Sequence, residues 1–222
     1  MIKVENISIW GFEHAIRGMR NPMNSWNISD SEYGCSYDEC YSCIGREECP
    51  DFNKNYNVGN NDLGLMQRLY KGGTEHRKYL RQIFVSMDIT APLYWWKEFD
   101  TYKIGTVSNS CSTMHKIHAK EFELDDFSHD HLKHSGLDVL FNIILHLNIY
   151  RLKYIKNNDK DDWWQLIQLL PSSYNQKRTV TMNYENVVNI IGQRKNHKLD
   201  EWRNFVEILE KLDYVKEIKG AE

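Results

Sequence analysis

The chain has 222 residues, of which 28 are basic and 31 acidic, so its formal net charge is −3. This length can bury a substantial core as one domain. The basic residues form no block, which argues against a nucleic-acid polymer as a partner. No apolar run approaches the roughly 18 residues of a membrane-spanning helix, and the first six residues do not resemble a signal peptide. We therefore expect a cytoplasmic protein without a membrane partner.

The first part of the chain predicts a strand, two helices and a long polar segment. Residues 1–10 have the pattern of a short strand, and a short helix is predicted for residues 11–19. Residues 20–61 are polar and contain four cysteines, as expected of an insertion or a functional loop. The next helix begins near Asn61 and ends at Gly72, with a buried stripe of Leu65, Met66 and Leu69.

The remainder predicts one strand and several helices. Residues 79–89 alternate as in an antiparallel sheet, and Pro92 suits the first turn of a following helix. Residues 103–113 have the Gly, Thr, Ser and Asn content of a loop. Further helices are predicted at 137–154, at 163–170, after a capping Thr181, and at 199–212. The predicted fold class is α+β, mostly helical with a small antiparallel sheet, in one domain (1–222) with a Cys-rich insertion at about 27–60.

Four cysteines within fifteen residues are candidate metal ligands. They have the spacing C-x4-C-x2-C-x5-C and are Cys35, Cys40, Cys43 and Cys49. Four thiolates in a tight loop suit tetrahedral zinc, and an iron–sulfur cluster is a second option. The C-x2-C pair occurs only once, so uncommitted thiols are an equal alternative to structural zinc. A zinc ion here would fix a loop and would not take part in catalysis.

The segment after Pro92 admits two interpretations. A helix with polar Lys97, Glu98, Thr101 and Lys103 leads into a loop of small hydroxyl residues. Backbone amides of such a loop can hold phosphate oxygens. The alternative is a surface helix followed by a Ser/Thr turn, and the spacing alone favours this alternative.

The helix after Thr181, here called the motif helix, carries amides and an arginine among apolar residues. Asn189 and Gln193 are four residues apart and share a face, and Arg194 lies beside them. Amide groups can pair with the donor–acceptor edge of a nucleobase or flavin, and arginine can bind carbonyl oxygens. The alternative is that these residues are solvent-exposed helix positions.

The motif helix and its surroundings resemble flavin-dependent thymidylate synthases. That family has Leu-Pro, a Tyr-Thr segment, and Thr-x-Asn opening a helix with a later Asn, an Arg, and a His shortly before Gln-Trp. The matching residues here, in order, are Leu170-Pro171, Tyr174, Thr181, Asn183, Asn189, Arg194, His197 and Trp202. The similarity also includes Ile89 to Pro92 and spans roughly residues 60–212.

The resemblance implies a homotetramer with FAD at subunit junctions. It also implies dUMP as substrate, with methylenetetrahydrofolate and NADPH. Arg194 then corresponds to the catalytic arginine, which orients and polarises the uracil. The implied FAD contacts are His76, Thr101, Tyr102, Lys103, Asn109, Asn183, Asn189 and His197. The implied substrate contacts are Glu98, Cys111, Ser112, Thr113 and Arg194.

The chain departs from the family at its signature motif. Counted from Ala91-Pro92, the triplet Thr101-Tyr102-Lys103 stands where the family has Arg-His-Arg. Glu98 replaces a Gln just upstream, and Cys111 stands at a Ser of the motif. Most of the groups that grip flavin and phosphate in the family are therefore substituted.

Three functions follow from these patterns. The first is a divergent enzyme that methylates dUMP or a related pyrimidine nucleotide with FAD. The second is a nucleotide- or flavin-binding relative without thymidylate synthase activity, which the lost Arg-His-Arg favours. The third is a structural or interaction protein in which the Cys-rich loop binds zinc and a partner.

Overall fold

The computed structural model describes residues 2–34 and 55–220. In this part of the chain, no helix is long and apolar enough to cross a membrane. The four candidate zinc ligands lie outside the described residues, so the zinc site stays a prediction.

The fold is α+β and mostly helical with a small antiparallel sheet, as the sequence predicts. The strands of the described residues are β1 (Lys3–Trp10), β2 (Glu32–Gly34), β3 (Asn55–Asn57), β4 (Phe84–Pro92), β5 (Thr106–Ser110) and β6 (Asn175–Asn183). The helices are α1 (Phe12–Arg20), α2 (Asn60–Lys71), α3 (Leu93–Phe99), α4 (His134–Asn157), α5 (Lys160–Leu169), α6 (Tyr184–Arg194), α7 (Asp200–Leu209) and α8 (Val215–Lys219). One sheet has the strand order β1-β4-β6-β5, and β2 pairs with β3 in a separate antiparallel hairpin.

The chain divides into two compact units. The first, here called the sheet unit, comprises Met1–Ile7, Ser86–Thr181 and Arg194–Phe205. The second, the hairpin unit, comprises Ser8–Val85, Met182–Gln193 and Val206–Glu222.

The sheet unit has two apolar clusters. Helices α4 and α5 pack together over one of them, formed by Ile117, Phe122, Phe127, Leu140, Ile144, Leu147 and Leu166. The other is aromatic and centres on Trp95, whose ring lies 4.6 Å from that of Trp202 and 5.0 Å from that of Phe99. Burying rings of this size contributes several kcal/mol to folding (roughly 1.5–3 kcal/mol per large apolar side chain). These tryptophans therefore serve the core.

Several boundaries differ from the sequence-based predictions. The segment at 78–82 is a 3-10 helix, so the strand predicted from residue 79 begins at Phe84, although Val85, Met87 and Ile89 are buried as its alternation requires. The loop predicted at 103–113 contains the edge strand β5. Of the stripe expected on α2, only Met66 is fully buried.

The start of the motif helix is also corrected. Thr181 does not cap it, because this residue lies within β6 and its hydroxyl donates to Ser86 Oγ at 3.1 Å. The cap is Asn183, whose Oδ1 accepts the N–H of Asn186 at 3.0 Å. The motif helix is thus α6, and strand β6 occupies the residues before it.

A buried ion pair connects α1 and α2 within the hairpin unit. Asp62 is fully buried, and its Oδ1 accepts from Arg20 Nε at 2.5 Å. Its Oδ2 accepts from the hydroxyls of Ser29 at 2.7 Å and Ser31 at 2.6 Å. Burial by itself raises the pKa of Asp62, but the hydroxyls of Ser31 and Ser29 and the guanidinium of Arg20 together lower it below its usual value. The carboxylate therefore stays charged.

We expect Asp62→Asn to lower the free energy of unfolding by about 3–5 kcal/mol, because it leaves the Arg20 charge buried without its partner. Since the folded pKa is lowered, the stabilising effect is complete above the unfolded pKa of about 4 and is lost as the pH falls through the folded pKa. Urea unfolding at pH 7 and at acidic pH measures both effects. The exposed Glu75→Gln is the control. An Asp62→Asn protein as stable as this control would contradict the assignment.

Candidate functional site

Two polar residues of the sheet unit are positioned by the end of α3. The start of α3 is fixed because the Leu93 N–H donates to the Tyr174 carbonyl at 3.0 Å. Glu98 lies in the last turn of α3, and Tyr102 lies four residues further on, with its N–H donating to the Phe99 carbonyl at 3.0 Å. In helical and turn geometry this spacing brings both side chains to the same side.

Arg194 binds both of these residues. It is the last residue of α6, where the helix dipole favours a positive charge. Its Nη1 donates to Glu98 Oε2 at 2.7 Å, and its Nε donates to the Tyr102 hydroxyl at 2.9 Å. We call Glu98, Tyr102, Arg194, His197 and Trp202 the Arg194 cluster.

The Arg194 guanidinium lies over a buried indole. Its central carbon is 4.5 Å from the ring centroid of Trp202, a residue with no exposed surface. Trp202 is in turn held by its contacts with Trp95 and Phe99. A guanidinium stacked on a desolvated ring gains about 1–2 kcal/mol. The ring also restricts the plane of the guanidinium.

Nitrogen atoms of three side chains lie close to Glu98 Oε2. Besides Arg194, these are Trp202 Nε1, which donates a hydrogen bond at 3.2 Å, and His197 Nε2, which lies at an ion-pair distance of 3.2 Å. The backbone N–H of Leu199 donates to His197 Nδ1 at 3.2 Å, so Nδ1 is the acceptor nitrogen and Nε2 carries the proton. The ring of His197 is therefore fixed in one tautomer and one orientation.

The Arg194 cluster remains accessible at its polar edge. The exposed fractions of the side chains are 18% for Arg194, 22% for His197 and 37% for Glu98. A guanidinium has five N–H groups, and the contacts with Glu98 and Tyr102 use two of them. The cluster can thus present a fixed cation and further donors to the carbonyl oxygens of a planar ligand.

The other predicted contacts of the sheet unit are mostly on the surface. Thr101, Lys103 and Asn109 are exposed, and Thr113 is half-buried. Cys111 is an exposed free cysteine whose backbone pairs with Lys177 and with the Gln176 side chain. The Ser112 hydroxyl accepts the N–H groups of Met114 and His115 at 3.1 and 3.0 Å, which is a turn geometry.

In the hairpin unit, Asn189 contacts an arginine that the sequence analysis did not select. Asn189 Oδ1 accepts from Arg77 Nη2 at 3.4 Å, and Arg77 Nε donates to Glu185 Oε1 at 3.1 Å. The predicted cofactor ligand His76 precedes Arg77 and is exposed. Asn183 is buried and caps α6. Arg77 and Glu185 are 108 residues apart in sequence, so no local pattern indicates this pair.

In the described residues, no group of three or more His, Cys, Asp or Glu side chains is arranged to hold a metal ion.

Comparisons with known proteins support the fold. No protein-family model matches the chain, and no curated protein matches it. A structure of thymidylate synthase X (ThyX) from Helicobacter pylori with FAD and dUMP is similar, with a TM-score of 0.61 and 18% sequence identity over 94% of this chain and 91% of that chain. A second structure, of the flavin-dependent thymidylate synthase ThyX from Helicobacter pylori complexed with FAD and dUMP, has a TM-score of 0.60, 18% identity and the same coverage. The chain therefore has the fold of these enzymes, as its resemblance predicted.

We expect Glu98→Gln to lower the free energy of unfolding by about 1 kcal/mol, because Arg194, Trp202 and His197 lose a charged partner that is partly exposed to water. Urea unfolding measures this change. Glu121→Gln removes the same charge from an exposed position of the sheet unit and should have no effect. Equal stability of the two variants would show that the Glu98 contacts do not hold the cluster together.

Proposed function

We propose that this protein is a divergent flavin-dependent thymidylate synthase-like enzyme. Its substrate is dUMP or a related pyrimidine nucleotide, its cofactor is FAD, and methylenetetrahydrofolate and NADPH are its further reactants. The observation that carries the proposal is the Arg194 guanidinium, which is stacked on a buried indole, fixed by Glu98 and Tyr102, and partly exposed. The likeness to ThyX structures that contain FAD and dUMP supports the same function.

Arg194 has the chemistry to bind and polarise a pyrimidine ring. Its free N–H groups donate to the ring carbonyl oxygens, and its charge stabilises negative charge that develops on them. Because Trp202 and Glu98 already fix the guanidinium, little reorganisation is needed when the ligand binds. Glu98 acts through Arg194 and is a positioning residue.

Bound FAD would supply the hydride. In the sheet unit the residues that would contact it are Thr101, Tyr102, Lys103, Asn109 and His197, and in the hairpin unit they are His76, Asn183 and Asn189. The exposed amide of Asn109, the ammonium of Lys103 and the imidazole of His76 suit the polar groups and phosphates of such a molecule.

One observation favours a second function, that of a nucleotide- or flavin-binding protein without thymidylate synthase activity. Within Thr101-Tyr102-Lys103, the Thr101 hydroxyl donates to the Glu98 carbonyl at 2.8 Å, and the Tyr102 hydroxyl accepts from Arg194. Lys103 is then the one cation of this triplet. A site with fewer cations binds phosphate groups less tightly.

We expect Arg194→Ala to weaken dUMP binding by about 2–3 kcal/mol, or roughly 30- to 150-fold, because the ligand loses a charged donor. The variant should also lose about 1–2 kcal/mol of folding stability, because Arg194 has partners within the protein. Isothermal titration calorimetry and urea unfolding measure the two quantities.

Arg203→Ala is the matched control for this experiment. Arg203 lies nine residues away, pairs with Asp200 and bonds the carbonyls of His197 and Lys198. It should leave dUMP affinity unchanged. If Arg194→Ala binds dUMP as well as Arg203→Ala does, Arg194 has only a structural role.

Two measurements separate the proposed enzyme from the binding protein. A visible absorption spectrum, with and without added FAD, shows whether flavin binds. Growth of a thymidine auxotroph that expresses the protein shows whether thymidylate is made. Flavin binding with rescue supports the enzyme, and flavin binding without rescue supports the second function. A colourless protein that takes up no FAD contradicts the enzyme and limits the second function to nucleotide binding.

We also propose that the protein forms a homotetramer, and helix α4 provides the surface. Its buried residues Leu140, Ile144 and Leu147 face the core of the sheet unit. A second apolar stripe on α4 is exposed and consists of Phe141, Leu145, Ile149, Leu152 and Ile155. An exposed stripe of this length is typical of an interface between protein chains.

We expect Leu145→Asp combined with Leu152→Asp to dissociate the assembly, because both charges would be buried at the interface. Sedimentation velocity measures the mass of the wild type and of this variant. His146→Asp places a charge on another exposed face of the same helix and should leave the assembly intact. A monomeric wild-type protein would contradict the proposed tetramer.

A further inference from the structure

The hairpin unit contains a cavity of about 880 Å³. Its walls come from the end of β1, the start of α1, the β2–β3 hairpin and the segment that joins α7 to α8. All of its described lining residues belong to the hairpin unit, and none belongs to the Arg194 cluster. A cavity of this volume can hold a small organic molecule.

Aromatic rings form much of the cavity wall. Tyr33 and Tyr56, on the two strands of the hairpin, meet edge to face with ring centroids 4.9 Å apart. Phe12 and Tyr214 meet in the same way at 5.3 Å. Trp10 also lines the cavity and is half exposed. Aromatic faces carry negative electrostatic potential and attract cations.

The backbone holds Tyr214 in place at this wall. Its φ angle is +60°, which is unusual for a bulky residue and costs about 1 kcal/mol or more. The contact with Phe12 offsets part of this cost, and so does a hydrogen bond from the Val58 N–H to the Tyr214 hydroxyl at 3.0 Å. The ring is thus fixed in the cavity wall.

Carboxylates outnumber ammonium groups around the cavity. Four line it, namely Glu13, Glu210, Asp213 and Glu217, against two lysines, Lys211 and Lys216. The Tyr33 hydroxyl donates to Glu13 Oε2 at 3.0 Å, which places one carboxylate directly at the aromatic wall. Burial raises the pKa of Tyr56 to about 12, so its phenol stays neutral. The negative charge of the wall therefore comes from its carboxylates.

The carboxylates come from separate elements, so they suit an extended ligand better than a metal ion. Glu13 lies on α1, Glu217 lies on α8, and Glu210 and Asp213 lie between α7 and α8. Across the described part of the chain, no three such groups are close enough to coordinate one ion. A flexible molecule with several ammonium groups can reach carboxylates on different walls and lay its methylene groups against the rings.

We propose that this cavity binds an organic cation with two or more ammonium groups, of the polyamine class. Its ammonium groups pair with Glu13 and with Glu210, Asp213 and Glu217. The rings of Trp10, Tyr33 and Tyr214 contact its carbon chain. The site is independent of the proposed nucleotide function.

Calorimetric titration of the full chain with spermidine at physiological salt tests the proposal. We expect saturable binding that weakens roughly fivefold or more in Glu13→Gln combined with Asp213→Asn, because two charge partners are lost. Butylamine, with one ammonium group, should bind more weakly than spermidine. Glu207→Gln changes an exposed carboxylate outside the cavity and should bind spermidine as the wild type does.

A second variant and a second measurement distinguish a loss of binding from a loss of folding. Trp10→Leu removes a ring without changing the charge and should also weaken binding. Hydrogen exchange should slow at residues 10–14 and 210–217 when spermidine is added. The absence of saturable binding, equal weakening in Glu207→Gln, or slowed exchange confined to other residues would each overturn the proposal.

Discussion

One carboxylate oxygen organises the candidate site. Glu98 Oε2 accepts hydrogen bonds from Arg194 and Trp202 and lies 3.2 Å from His197 Nε2, and the Arg194 guanidinium lies over the Trp202 ring. Trp202 is itself buried among Trp95, Phe99 and Phe205. The packed aromatic core therefore limits the movement of the Arg194 guanidinium, which stays partly exposed to water and ligands. A cation fixed in this way is suited to orient a planar heterocycle.

The same carboxylate also marks the chain's divergence from the family it resembles. A glutamine at this position would offer Arg194 a neutral partner, whereas Glu98 forms an ion pair with it. The ion pair holds Arg194 more firmly, but a ligand must compete with that carboxylate for the guanidinium. On the proposed function, the replacement of Arg-His-Arg by Thr101-Tyr102-Lys103 also leaves fewer cations for phosphate contacts, so that the ring contacts with Arg194 would carry more of the binding. The fold is thus shared with these enzymes, while several residues at the positions of the family's signature motif differ.

How much could be predicted from sequence depended on whether a signal was local. The alternation of Val85, Met87 and Ile89 gave the buried face of β4. The spacing at 137–154 predicts a buried stripe of Leu140, Phe141, Ile144 and Leu147, of which Phe141 is instead exposed. Strand β5 was missed because its Ser, Thr and Asn residues are typical of a loop. Its position depends instead on pairing with a distant strand, and just past its end the Cys111 N–H donates to the Lys177 carbonyl of β6. Arg194 was selected, but its partner Glu98 is 96 residues away. Contacts between residues so far apart in sequence depend on the tertiary fold and cannot be inferred from the local spacing of residue types.

The most direct test is a crystal structure of the protein with FAD and dUMP. The account predicts that the carbonyl oxygens of the pyrimidine lie within hydrogen-bond distance, about 3 Å, of the Arg194 guanidinium. In the same complex, the Trp202 ring should still contact the face of the Arg194 guanidinium. A nucleotide bound elsewhere, with Arg194 contacting only Glu98 and Tyr102, would contradict it.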